Sequence, residues 1–342
     1  MAYVLQPGQP LDEAVRAVLL EEAQKARKRL AREDRTEAVH AARKSFKRAR
    51  ALVGLAAPAL APRAARHLDR AYRDLGRRLS AQRDADVMRA TALQVRQDLS
   101  ASARRVLDAC VDKVAAAEAV TNGAGRAADV ATDLSRCRKD LANLRDDIAT
   151  MDLDGLRGER GLAAVGTGLE AVYRTGRRAL CDLYASGVPA LSDEAFHDWR
   201  KVIQRHWRHC ELLQGAWPEM MSARVNAART LSQMIGEDHD LSVLAARLTE
   251  ERRSYSASRS TDEIIAVCRR GQLDLRRRAY PIATRLYAFK PSSLAVAVMA
   301  CWRGSGPLSH VTAGDDGGSD GPGEPKRQKQ TSAEIIRFVR GD

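Results

Sequence analysis

The chain has 342 residues, a formal net charge of +13 and only 4% aromatic residues. Its length allows two domains or one large domain with a tail, and its positive excess points to anionic partners: nucleic acid, an anionic membrane or a phosphate polymer. So few aromatic side chains argue against recognition of single-stranded nucleic acid by base stacking.

From Leu11 to Phe289 apolar residues recur with a helical period, with no strand-like alternation, and Gly/Pro clusters punctuate the segments. Met1 to Pro10 has no basic region followed by an apolar one, so no secretory signal is expected. The longest late apolar run, Leu294 to Trp302, is too short to span a bilayer. Cys110, Cys137, Cys181, Cys210, Cys268 and Cys301 form no C-x-x-C pair and read as small buried hydrophobes in a reducing compartment. The expectation is a cytoplasmic protein with no membrane partner.

Leu11 to Ala31 predicts the first helix. Thr36 then caps a second, which ends near Gly54 with Pro58 beyond. At about 100° per residue, its run His40 to Arg50 puts His40, Arg43, Lys44, Lys47 and Arg48 on one face, with Arg50 at the edge. Val39, Ala42, Phe46, Ala49 and Val53 fall on the other side. The run holds five basic residues and no acidic one. A solvated helix offsets such charges, because like charges one turn apart repel by a few tenths of a kcal/mol, roughly.

A third helix begins near Pro62. Arg63, Arg66, Arg70, Arg73 and Arg77 form a second ridge, interrupted by Asp69 and Asp74. Arg83-Asp84-Ala85-Asp86-Val87 follows and leads into a helix to about Leu99. Helices are expected over Ala103–Val120 and Arg126–Ile148. The five glycines between Met151 and Gly168 read as a loose boundary between two halves.

Leu169 to Tyr184 is the next helix. Ser192-Asp193-Glu194 is a capping hydroxyl followed by acids at the positive end of a helix dipole. The helix it starts carries His197, Arg200, Lys201, Gln204, Arg205 and Arg208 on one face, with Phe196, Trp199, Ile203, Cys210 and Leu213 behind. It closes near Gly215 and Pro218. Ala223–Ile235, Asp240–Arg253 and Thr261–Phe289 follow as helices. Beyond them Gly304 to Gln330 is rich in Gly, Ser, Pro and Asp, so 291–342 is expected to be a largely disordered tail.

Aligned on the histidines, His40, Arg43, Lys44 and Arg48 match His197, Arg200, Lys201 and Arg205. The pattern extends further: Asp84-Ala85-Asp86 follows the first histidine by 44 positions, and Asp238-His239-Asp240 follows the second by 41. This reads as a tandem duplication of a roughly four-helix unit.

Enzymatic readings find less support. His239-Asp240 has the form of the metal-binding dipeptide of HD phosphohydrolases, but its partner His and Asp residues are missing. His206-x-x-His209 puts two metal ligands on one helical turn with no third in view. No phosphate loop of the form G-x-x-x-x-G-K-[ST] and no H-E-x-x-H occurs. Asp84, Asp86, Asp238 and Asp240 are better suited to holding arginines than a divalent ion. No enzyme activity, cofactor or metal is expected.

His40 to Arg50 resembles the motif of the CHAD domain (conserved histidine α-helical domain), approximately H-x-x-R-[VK]-x-x-[RK]-[RK]-[LA]-R. His197, Arg200, Lys201 and Arg205 match its second motif, and Arg83 to Val87 its R-D-x-D-V segment. The resemblance covers 11–290. It implies an all-α fold of two four-helix-bundle-like halves, 11–155 and 156–290, related by a pseudo-twofold repeat and enclosing a basic channel or groove. It also implies binding of inorganic polyphosphate and association with polyphosphate granules and their proteins; some members of the family are fused to a CYTH triphosphatase, and no such β-barrel module is expected in this sequence. Nucleic acid would then be only a weak electrostatic competitor. The residues expected to bind are His40, Arg43, Lys44, Lys47, Arg48, Arg50, Arg73, Arg77, Arg83, His197, Arg200, Lys201, Arg205 and Arg208. Gln204 and Trp207 depart from the first copy's Lys47 and Arg50, so they are doubtful phosphate contacts.

Rigid helices suit such a polymer, because steps of three and four residues repeat a cation about every 5–6 Å. Arg forks two donors onto phosphate oxygens and Lys acts as a point charge. An ordinary histidine on that face would strengthen binding as the pH falls through about 6.5.

Overall fold

Helices whose apolar residues recur every three or four positions must bury one side, and here they do so against one another. Among the described residues of the computed structural model (3–32, 34–79, 84–121, 124–187, 189–254 and 259–305) there are eleven α-helices, short 3-10 turns and no strand. They are α1 (Leu11–Arg29), α2 (Arg35–Ala56), α3 (Pro62–Arg78), α4 (Asp84–Val95), α5 (Ala101–Thr121) and α6 (Ala124–Thr150). The rest are α7 (Gly158–Leu183), α8 (Asp193–Leu212), α9 (Pro218–Ser254), α10 (Arg259–Leu286) and α11 (Pro291–Gly304).

Helix ends follow local chemistry. The cap of α2 is Asp34 rather than Thr36: its carboxylate accepts from the Glu37 amide at 3.0 Å, where negative charge also meets the helix dipole. Ser192 caps α8 as expected, accepting from the Ala195 amide. The last turn of α6 has no basic residue of its own. Arg16 of α1 supplies the donors instead, to the carbonyls of Ile148, Ala149 and Met151.

The glycines expected to loosen 151–168 lie mostly within α7 and serve close packing. A Cβ on Gly168 would sit 2.1 Å from the Leu55 carbonyl oxygen of α2, and one on Gly176 would meet the Tyr287 hydroxyl. The missing side chains let helices approach. Gly236 likewise leaves α9 unbroken, so the two helices expected over 223–253 are one. The aligned stretch of the first half is two helices, α3 and α4. The tail expected from 291 is shorter than predicted. Pro291–Gly304 forms α11 because Leu294, Ala295, Val298, Met299 and Trp302 recur at helical spacing and are buried against the core. Leu308–Asp342, and with it the basic cluster at Lys326, lies outside the described residues.

The main core takes Phe46, Tyr72, Tyr173, Phe196 and Trp199 from both sides of the expected boundary at 155/156. A second core joins α4 and α5 to α9 and α10 through Ala92, Leu107, Leu244, Leu248 and Ile264. Of the cysteines, Cys110, Cys137, Cys210 and Cys268 are buried as expected, whereas Cys181 is exposed and Cys301 partly so.

Two buried polar contacts place the motif helices. Arg276 of α10, 3% exposed, donates to both oxygens of Asp238 at 2.7 and 3.2 Å and to Asp193 at 2.6 Å, and lies over the Phe196 ring. Burial pushes the Asp238 carboxyl up against the pull of Arg276. Burial also works on Asp193, yet hydrogen bonds from Arg269 and Arg276 hold its carboxyl below the ordinary range. In the other contact His209 of α8 donates from Nε2 to the Ala51 carbonyl of α2 at 3.0 Å. Burial lowers the His209 pKa to about 4, so the ring is neutral.

Removing one partner of a buried ion pair leaves the other uncompensated, so Asp238→Ala is expected to lose about 3–5 kcal/mol of stability, read from the urea midpoint. The His209 shift has a definite sign: the folded form binds its proton less readily than the unfolded form, so stability is lost as the pH falls from about 6.5 toward 4. At pH 5 the loss from this one ring reaches about 2 kcal/mol. Denaturation series at pH 7 and pH 5 should show it, and His209→Gln should lessen the difference.

Candidate anion-binding site

α2 and α8 touch where His209 meets the Ala51 carbonyl, and their basic residues have different surroundings. One group lines a cavity of about 490 Å³. α2 contributes Arg43 and Lys47, and α8 contributes His197, Arg200, Lys201 and Gln204. α9 adds His239, Asp240, Val243 and Leu244, and α4 adds Val87 and Met88. Basic residues of both motif helices therefore line one cavity.

Arg43, Lys201 and Arg200 are each set by their surroundings. Arg43 donates to the carbonyls of Gly76 and Leu79 at 3.3 and 3.0 Å, so it also closes the C-terminus of α3. Lys201 donates to Asp198 at 2.8 Å across one turn. Gly236 of α9 makes room for Arg200: a Cβ there would stand 2.9 Å from the guanidinium. His197 stacks on His239 with ring centroids 4.1 Å apart and planes 29° from parallel. Burial, then His239, Lys201 and Arg200, lower the His197 pKa to about 4, with Asp198 opposing. A neutral imidazole at pH 7 is the consequence, so the response expected near pH 6.5 does not belong to His197 in the free protein.

The other expected binding residues stand elsewhere. His40 is exposed on α2, one turn before Arg43. Lys44 lies near Arg48 and Arg208, and burial together with these two cations lowers its pKa. Arg48 covers the Tyr3 ring and approaches buried Glu22 at 3.7 Å. Arg208 is 7% exposed, bonds Glu211 at 2.7 Å and lies over the Trp207 ring. Its offset does return it to the cationic face, but there that face meets the N-terminal strap, whose Leu5 amide donates to the Leu212 carbonyl. Arg50 pairs with Asp69 at 2.8 Å, and burial, then the like charge of Arg50, lowers the Arg205 pKa against the pull of Asp69. Arg73 and Arg77 both approach Asp74 at just under 4 Å. Arg83 and the side chains of Asp84 and Asp86 lie outside the described residues.

His206 and His209 do not form a metal-binding turn. Arg224 donates to His206 Nε2 at 3.2 Å while His209 Nε2 is spent on Ala51, and both rings are fully buried. Asp238 holds an arginine, as expected of its type, but that arginine is Arg276 rather than a residue of the basic ridges. The residues missed as site members are His239, Asp240 and the apolar group Val87, Met88, Val243 and Leu244, and Gln204 lines the cavity despite its doubtful standing. The available signal was the repeat itself, since Asp238-His239-Asp240 lies at the position aligned with Asp84-Ala85-Asp86.

A family model described as CHAD domain matches residues 14–249. The chain is also similar to the solved "Crystal structure of the CHAD domain from the plant Ricinus communis" at 19% identity. That match covers 84% of this chain and 96% of that one, with a TM-score of 0.57. At this identity the likeness is one of fold. No curated protein matches the chain.

The stacked pair gives a direct check of the site. Proton NMR should place the His197 titration near pH 4, not 6.5. His239→Ala, which removes burial and a neighbouring imidazole, should move it upward; an unmoved value would mean that the stack does not set it.

Proposed function

This chain belongs to the CHAD domain family, and we propose that it binds inorganic polyphosphate through the cavity between α2 and α8, acting as a binding module without turnover. One observation carries the reading: Arg43, Lys47, Arg200 and Lys201, contributed by two repeated helices, line a single cavity. The polymer is a run of phosphates with no bases to read, so affinity must come from cations held at fixed spacing. Here the spacing is held by α-helices, and the position of one helix on the other by His209 and Ala51. The polymer would continue from the cavity along exposed Lys44, His40 and Arg205, while Arg48, Arg50, Arg73 and Arg77 shape the surrounding potential. Their acidic neighbours Glu22, Asp69 and Asp74 reduce their share of direct contact. Recruitment to polyphosphate granules, and to proteins held there, is the role such binding serves. Among the described residues no helix is long and apolar enough to cross a membrane.

The test is binding of long-chain polyphosphate at about 150 mM salt with excess duplex DNA present. The variant is Lys47→Ala/Arg200→Ala/Lys201→Ala, which spares Arg43 and its contacts to α3. The expected result is binding that survives DNA in the unaltered chain. In the variant, affinity should fall and the slope of log affinity against log salt should flatten by about 2, one lost contact per residue. Displacement by DNA, or equal binding by the variant, would overturn the proposal.

A further inference from the structure

The cavity is more than a basic groove. A chain of inorganic phosphate offers negative charge along its whole length and nothing apolar, so a site shaped for it alone would place cations on every wall. Here the cations come from α2 and α8, whereas α4 and α9 bring Val87, Met88, Val243 and Leu244. Val243, 42% exposed, shares this lining with Val87, Met88 and Leu244, so the apolar wall is a group of side chains that a ligand entering the cavity can reach. Between the two kinds of wall stand the stacked rings of His197 and His239. Asp240 completes the lining, and its carboxylate repels phosphate but accepts hydrogen bonds from hydroxyl and amine groups.

We propose that this cavity is a nucleoside-phosphate site, in which the α2 and α8 cations take the phosphate chain while the apolar side chains and the imidazole pair take the base. The inference rests on the anion-binding reading above and adds a second ligand class to it. The volume of about 490 Å³ falls within the range of about 300–1,000 Å³ usual for small-molecule sites. A neutral His197 fits this role, since an uncharged ring offers planar apolar surface and a hydrogen-bonding edge. Asp240 provides an acceptor for a ribose hydroxyl or an exocyclic amine, as acidic residues do in other nucleotide sites. The base itself is not specified by this geometry, because apolar contact and stacking accept any of them.

The experiment compares ATP with inorganic tripolyphosphate by calorimetry on the full chain, without divalent cations. Tripolyphosphate carries at least as much charge, so a purely electrostatic site would prefer it or not discriminate. ATP is expected to bind about tenfold or more tightly. Val243→Ser should erase that advantage and leave tripolyphosphate binding within about twofold, since Val243 makes no charge contact. Tripolyphosphate binding as tightly as ATP, or weakening equally in Val243→Ser, would overturn the nucleoside assignment. Arg200→Ala separates the two levels. If tripolyphosphate binding depends on Arg200 while ATP gains nothing, only the nucleoside assignment fails. If neither ligand binds, or neither depends on Arg200, the anion-binding reading fails with it.

Discussion

The arrangement depends on a buried guanidinium. Arg276 brings the first turn of α8, the middle of α9 and the body of α10 to one point, through Asp193, Asp238 and the Ala190 carbonyl. Gln272 and Arg269 complete the same knot. Fully desolvated charges are costly, so they settle in the one geometry that satisfies all of them. That geometry sets His197, one turn beyond Asp193, against His239, the residue after Asp238. The two rings that stand in the cavity are thus each adjacent to an acid that Arg276 holds.

The surroundings of α2 and α8 explain why an unbroken cationic stripe does not act as one surface. Where the helices touch, near Ala51 and His209, no charge can remain solvated. Arg43 and Lys47 share a cavity with Arg200 and Lys201. Others find acids: Arg50 has Asp69, and Arg208 has Glu211. Charge repulsion along each helix is relieved by acids from α1, α3 and α8 itself rather than by i±4 partners within the motif, apart from Asp198 beside Lys201.

Small residues decide how close the walls come. Gly168 lets α7 lie on the end of α2, and Gly236 lets α9 lie beside the Arg200 guanidinium. A larger residue at either position must displace a backbone carbonyl in the first case and a cavity-lining cation in the second. The cavity is therefore a product of close packing as much as of charge. Its mixed lining follows too, since the apolar residues of α4 and α9 border the second core at the rim of the site.

Much was legible in the amino-acid order because it is written in local periodicity. The all-helical character and the buried sides of α2 and α8 follow from spacings of three and four residues, and the starts of α3 at Pro62 and of α8 after Ser192 from local chemistry, all of which one helix expresses by itself. The paired histidine motifs likewise resemble the family to which the chain belongs. Other features depend on what lies across from a residue, and no local rule carries that. The glycines of α7 read as flexible until Leu55 and Tyr287 are seen against them. Arg208 reads as a surface cation until the N-terminal strap covers it. His206 and His209 have the spacing of ligands on one turn, and only the fold shows that Arg224 and Ala51 each take a ring nitrogen. Periodicity thus determined which residues are cationic and which side of each helix they occupy. Tertiary packing alone decided which of them meet, because a charge's role depends on its distance to neighbours remote in the chain and on how much water remains between them.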